Sequence, residues 1–249
     1  MDPDRFQRME MLVGPAGLER LRQTSVAVFG VGGVGSFATE ALARAGIGQL
    51  TLIDFDTVCT SNINRQLHAL EQTVGRPKVQ VMAERCRAIN PQLQVEPLQE
   101  FYNAETSAEL LGRPYDYVLD CIDLVTAKIH LIWSCKERGI PLMSSMGAAN
   151  KLDPTLIRIG DLFVTRNCGL ARVMRKELRR RGVSEGVKVV YSTEEARTQP
   201  GSKATPATPR QSGQGKLPLG SSSYIPPIFG LTMAGEVIRT LIGDSLNEH

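Results

Sequence analysis

Ser25-Val-Ala-Val-Phe-Gly-Val-Gly-Gly-Val-Gly-Ser36 is a short apolar run that ends in four glycines, Gly30, Gly32, Gly33 and Gly35. A helical pattern over 36–45 comes next. The stretch reads as a buried strand that turns tightly into a helix N-terminus. Bare glycine backbone admits a phosphate closely, and the free N–H groups and dipole of the helix favour its negative charge. The next apolar run, Leu50-Thr-Leu-Ile-Asp54, ends in a carboxylate nineteen residues past Gly35, a spacing that suits a grip on ribose hydroxyls. A glycine turn can also serve helix–strand packing alone, and the residues downstream of Asp54 decide between the two.

Asp54-Phe-Asp56 leads into Ser61-Asn-Ile-Asn-Arg-Gln66 and then Gly75-Arg-Pro-Lys78. Asn64, Arg65, Gln66 and Lys78 therefore come soon after the acidic pair Asp54 and Asp56. Two fixed cations with several amide donors suit a polyphosphate better than the pyrophosphate of a nicotinamide dinucleotide. Tyr117-Val-Leu-Asp-Cys-Ile-Asp123 brings Asp120 to the end of another apolar strand, with Asp123 three residues on. Strand C-termini face the ligand in an open α/β sheet, and a carboxylate beside a triphosphate is a natural Mg²⁺ ligand. Asp120 and Asp123 are the expected metal ligands.

In this order, these motifs resemble the ubiquitin-activating-enzyme-like (ThiF/MoeB) family, and the resemblance runs over roughly residues 5 to 245. It implies a Rossmann-like, doubly wound and mainly parallel sheet with helices on both faces, and a small C-terminal extension of that sheet. It also implies Mg-ATP and the adenylation of a carboxylate with release of pyrophosphate. By resemblance, Gly32 and Gly35 line the phosphate turn and Asp54 holds the ribose. Asn64, Arg65 and Lys78 meet the triphosphate, and Asp120 meets the metal. Arg5-Phe-Gln-Arg8 is similar to the family's arginine segment, whose second arginine reaches the ATP of the neighbouring subunit in a homodimer. That makes Arg8 a catalytic candidate beside Arg65, Lys78 and Asp120, with a solvated N-terminal helix as its alternative.

Within the family, Asn62-Ile-Asn-Arg-Gln-Leu-His-Ala-Leu70, Met82-Ala-Glu-Arg85, Ala88-Ile-Asn-Pro91 and Leu152-Asp-Pro-Thr155 look like the tRNA threonylcarbamoyladenosine dehydratase branch. The implied substrate is a modified adenosine in tRNA, whose activated carboxylate closes on its own nucleoside with loss of water. Such closure needs no protein nucleophile. The alternative is an activating enzyme for a ubiquitin-like sulfur-carrier protein. The family also leaves room for a sulfur-transfer partner of the cysteine-desulfurase type. A nucleotide sensor without catalysis is disfavoured, because charged residues such as Arg65, Lys78 and Asp120 are costly to bury without a task.

The composition fits an ordinary globular chain, with 249 residues and 42% hydrophobic content. The polar start Met1-Asp-Pro-Asp-Arg5 lacks the apolar core of a signal peptide, so a cytoplasmic protein is expected. Glu236 and Arg239 interrupt the apolar run 225–242, which argues against a membrane span. Five cysteines without a C-x-x-C pair argue against a disulfide framework and against a four-cysteine zinc site. Cys168, in Arg166-Asn-Cys-Gly-Leu170, reads as a small residue before a helix. Net charge is only +3, yet Arg172, Arg175, Lys176, Arg179 and Arg180 recur near helical spacing. Two readings stand for them, a solvated face and a phosphate-binding face.

Residues 1–249 read as one adenylating domain, with its nucleotide-binding half in 1–150. Strands are expected at 25–30, 50–54, 94–97, 117–121 and 141–145, then near 155–159 and 187–192. Helices are expected at 36–45, 76–89, 105–111, 124–138 and 231–242. Residues 194–224 form a crossover whose 196–222 stretch holds prolines, glycines and serines and no acidic residue. That composition suits a flexible lid.

Overall fold

The computed structural model describes residues 5–197 and 219–243. Its elements in order are α1 (Gln7–Gln23), β1 (Ser25–Phe29), α2 (Gly35–Ala45), β2 (Gln49–Ile53), α3 (Lys78–Ile89) and β3 (Gln94–Leu98). After them come α4 (Ser107–Leu110), β4 (Tyr117–Asp120), α5 (Val125–Arg138), β5 (Leu142–Ser145), β6 (Ile157–Asp161), α6 (Gly169–Arg179), β7 (Lys188–Ser192) and α7 (Ile225–Ile242). The seven strands form one sheet in the order β3-β2-β1-β4-β5-β7-β6. All neighbours are parallel except β6 and β7. Strands that carry helices on both faces have no solvated side, which is why Val26, Ala27, Val28 and Phe29 are all buried. One core, with Val28, Leu50, Leu119, Met82 and Phe229, lies on the face covered by α2, α3 and α7. The other, with Phe29, Ile132, Met174 and Val189, lies under α5 and α6.

The expected Rossmann-like, mainly parallel sheet is present, and β6–β7 is its C-terminal extension. Three helices depart from the sequence expectation. α1 extends to Gln23 the N-terminal helix offered as the alternative for Arg8: Gly14 (φ 73°) and Pro15 break it inside, and only Gly17, Leu18 and Leu21 are buried along it. α4 is a single turn. α7 starts at Ile225 rather than 231, because Pro226 and Pro227 fall in its first turn, where a missing N–H is harmless. α7 is long and apolar enough to cross a membrane by composition alone. Here its Phe229, Met233 and Val237 are buried in the core. At Gly230 the helix packs so closely on α2 that a Cβ would sit 2.2 Å from the Val34 carbonyl oxygen.

Strand order reverses between β1 and β4, and the crevice at their C-terminal ends is where ligands bind such sheets. The β1 turn, Asp54 after β2 and the Asp120–Asp123 turn after β4 all meet there.

Candidate nucleotide-binding site

The glycine turn divides its labour. Gly30 has φ +87°, and a Cβ there would lie 2.8 Å from the Cys121 backbone, so the turn passes hard against the end of β4. A Cβ on Gly35 would come 1.9 Å from the Gly30 carbonyl oxygen. These two glycines build the turn. At Gly32 a Cβ would meet only Gln66 Nε2, at 3.8 Å, among the described residues, so bare backbone faces open space. At Gly33 the Arg65 stem would lie 3.3 Å away. Gln66 is buried, and its Oε1 has no hydrogen-bond partner among the described residues. An open backbone turn flanked by an unsatisfied amide and two cations fits a nucleotide triphosphate.

Asp54 is fixed by two backbone donors: Val31 N–H to Oδ2 at 2.7 Å and Asp56 N–H to Oδ1 at 2.9 Å. Burial raises its pKa above the ordinary value, against the pull of Lys78. Lys78 opens α3 and is buried, with Nζ 2.7 Å from the half-exposed Asp56 carboxylate. Arg65 is half-buried and donates to Ser61 O and Asn64 Oδ1, both at 2.9 Å. Asn64 Nδ2 donates to Ser221 O at 3.0 Å, which ties this loop to the start of α7. Arg8 is exposed on the first turn of α1, and its neighbour Phe6 is buried.

Asp120 departs from its expected role. It is 0% exposed, and Lys128, 1% exposed, places Nζ 2.8 Å from its Oδ2. Ser144 Oγ donates to the same oxygen at 2.6 Å, and the Ile122 N–H approaches Oδ1 at 3.2 Å. A carboxylate neutralised by an ammonium and closed off from solvent is not placed to ligate Mg²⁺; instead it shapes the turn beyond β4. Asp123, three residues on, is exposed. A single carboxylate beside phosphate oxygens is a usual Mg²⁺ environment, so Asp123 fits the metal and Asp120 does not. Lys128 and Ser144 are additions to the site read from sequence. The signal for Lys128 was legible, since it shares the buried stripe of α5 with Leu131, Ile132 and Cys135.

His68 is 2% exposed, and neither ring nitrogen has a partner among the described residues. Burial, with Lys78 adding to it, pushes its pKa down to about 4, so the ring is neutral at pH 7. Cys168 caps α6 and accepts from the Ala171 N–H at 3.4 Å. Asn150, with φ 58°, pins both ends of the crossover: its carbonyl accepts from Arg197 N–H at 2.9 Å and its Oδ1 from Gly220 N–H at 2.8 Å. The lid expected over 196–222 falls mainly on 198–218, outside the described residues.

A parallel sheet with a phosphate turn at its switch point defines a nucleotide-binding α/β protein. The ThiF family model matches residues 6–249, and the chain belongs to that family. It is 44% identical over 246 residues to the tRNA threonylcarbamoyladenosine dehydratase of Bacillus subtilis (strain 168), covering 96% of this chain and 95% of that protein. The crystal structure of the E. coli tRNA N6-threonylcarbamoyladenosine dehydratase in complex with ATP superposes with a TM-score of 0.87 at 35% identity, covering 99% of this chain and 97% of that one. The molybdopterin-synthase adenylyltransferase of Salmonella typhimurium (strain LT2) is 39% identical over 137 residues, covering 55% of this chain and 54% of that protein.

Proposed function

We propose that this protein uses ATP to adenylate the carboxylate of threonylcarbamoyladenosine in tRNA, after which the nucleoside cyclises with loss of water. The supporting observation is the convergence of the open Gly32 turn with Arg65, Gln66, Lys78 and Asp123, in a chain similar over nearly its whole length to dehydratases of that name. ATP bound with Mg²⁺ supplies the adenylyl group that turns the carboxylate oxygen into part of a leaving group.

The residues of the chain do the rest. The backbone N–H groups after Gly30 cradle phosphate, and Asp54 orients the ribose. Asp56 holds Lys78 in place until phosphate replaces it as the partner. Arg65 and Lys78 put fixed positive charge where pyrophosphate develops negative charge, usually a large catalytic contribution. Asn64 and Gln66 add neutral donors. Asp123 is the Mg²⁺ ligand, and Lys128, through Asp120, sets its turn. Arg8 acts on the site of the second subunit in a homodimer. Residues 1–249 act as a single adenylating domain in the cytoplasm, where tRNA is found.

The test is nucleoside mass spectrometry of tRNA incubated with protein, ATP and Mg²⁺. The modified adenosine should lose the mass of one water while pyrophosphate appears, and Lys78→Ala should abolish both. Pyrophosphate release that depends on a small β-grasp protein rather than tRNA would instead mark a carrier-activating enzyme.

A further inference from the structure

Helix α6 carries more positive charge than its packing uses. Arg175 is taken up by the fold, since its guanidinium turns inward to the Thr165 carbonyl at 3.1 Å and to the Thr165 hydroxyl. Arg180 and Arg181 share Glu177. The side chains of Arg166, Arg172 and Lys176 are exposed and make no ion pair or hydrogen bond among the described residues. Arg179 lies over the Phe163 ring at 5.2 Å and stays exposed to solvent.

The arrangement works against the helix itself. Arg172 stands near the helix start, where the macrodipole disfavours a cation, and no acidic residue occupies the first turn to offset it. Lys176 comes at i+4, a like-charge pair that is also unfavourable in isolation. An external polyanion would relieve both.

The stripe starts at the edge of the sheet that holds the nucleotide turn. A Cβ on Gly147, just past β5, would lie 3.8 Å from Cys168 Sγ and Leu170 Cβ at the head of α6. Asn167 Nδ2 donates to Thr193 O, just past β7, at 3.0 Å. β5 and β7 run parallel to β4, so Arg166 and Arg172 sit at the same C-terminal edge as Asp123. From Arg172 to Arg180 the helix then extends roughly 12 Å away from that edge. Ala171, Met174 and Leu178 are buried, so the outer face has no apolar anchor of the kind a protein partner needs. A cationic face without one suits a sugar–phosphate backbone.

We propose that Arg166, Arg172, Lys176 and Arg179 form the track along which the phosphate backbone of the RNA substrate docks. This rests on the tRNA reading above. The test compares the full-length protein with an Arg172→Gln/Lys176→Gln variant by tRNA-binding titrations across a KCl series, with ATP affinity measured by calorimetry. Each lost phosphate contact should flatten the slope of log affinity against log salt by about 0.7 to 0.9, so the variant should lose roughly 1.5. ATP affinity should hold, and the thermal midpoint should hold or rise slightly, because the two charges removed oppose the helix dipole and repel each other. A wild-type slope in the variant, with tRNA still bound, would overturn the track and leave the substrate assignment standing. An absence of salt-dependent tRNA binding by the wild-type protein would overturn both. Loss of polyglutamate binding with tRNA binding retained would assign the face to an acidic protein and overturn the proposal.

Discussion

Replacing Lys128 by methionine would leave the Asp120 carboxylate buried without its counter-charge. The two side chains are 0% and 1% exposed, so water cannot take over from the ammonium. Removing one partner of a buried pair costs about 3–5 kcal/mol. Asp120 would keep Ser144 Oγ at 2.6 Å and the Ile122 N–H at 3.2 Å, which places the expected loss near the lower end, about 3 kcal/mol. For a chain of this length that is a fall in Tm of roughly 6–12 °C. The double variant Asp120→Asn/Lys128→Met removes both charges; its amide oxygen can accept from the Ile122 N–H while its NH2 donates to Ser144 Oγ, and it should regain at least half of the loss. Urea and thermal unfolding at pH 7, tracked by circular dichroism, measure all three proteins. A Lys128→Met loss below about 1 kcal/mol, or a double variant no more stable than the single one, would refute the buried-pair account.

Gly35→Ala should destabilise severely, by upward of about 3 kcal/mol in urea unfolding, because its Cβ meets the Gly30 carbonyl oxygen at 1.9 Å. Gly32→Ala should fold normally and lose ATP affinity by calorimetry, since its methyl enters the open phosphate space. Mixed dimers of Arg8→Ala and Lys78→Ala subunits should recover part of the turnover that each homodimer lacks, as one hybrid site keeps both residues; verified mixed dimers that stay inactive exclude action across subunits. Cys168→Ser should keep both fold and turnover, because serine caps a helix at least as well and cyclisation uses no thiol. A folded variant that binds ATP yet makes no cyclic product would break that mechanism. His68 has a native pKa lowered to about 4, so the unfolded chain binds the extra proton between there and pH 6.5. Its contribution is complete above pH 6.5 and is lost as pH falls toward 4, by about 3 kcal/mol in the limit. His68→Gln should show a shallower loss of urea midpoint between pH 7 and 4.5 than the wild type.

The nucleotide half was legible because local pattern and final burial agree there. β1, β2 and β4 are apolar runs buried on both faces, and each ends at the crevice where the strand order reverses. What escaped was long-range. Asp120 at a strand end and Asp123 in the next turn look equivalent in sequence; only the approach of Lys128 from α5 and Ser144 from β5 consumes the first and leaves the second open. Arg175 looks like part of a cationic face because helical spacing cannot show that Thr165 draws it inward. α1 escapes a periodicity reading because Gly14 and Pro15 interrupt it, and α7 reads short because two prolines look like a break when they are a helix start.

Asn150 holds both ends of the crossover on one residue, through its carbonyl to Arg197 and its side chain to Gly220. The gap between Arg197 and Gly220 is therefore set by a single asparagine rather than by the number of residues that join them. Doubling the length of such a loop costs only about 0.6 kcal/mol in closure entropy. This makes the crossover a natural graft point, where a reporter or an affinity module inserted between the pinned ends would leave sheet register and nucleotide turn untouched. Cutting the same graft into the 61–66 loop would instead break the Asn64 bond to Ser221 that ties this loop to the start of α7, and the bond that Arg65 donates to Asn64.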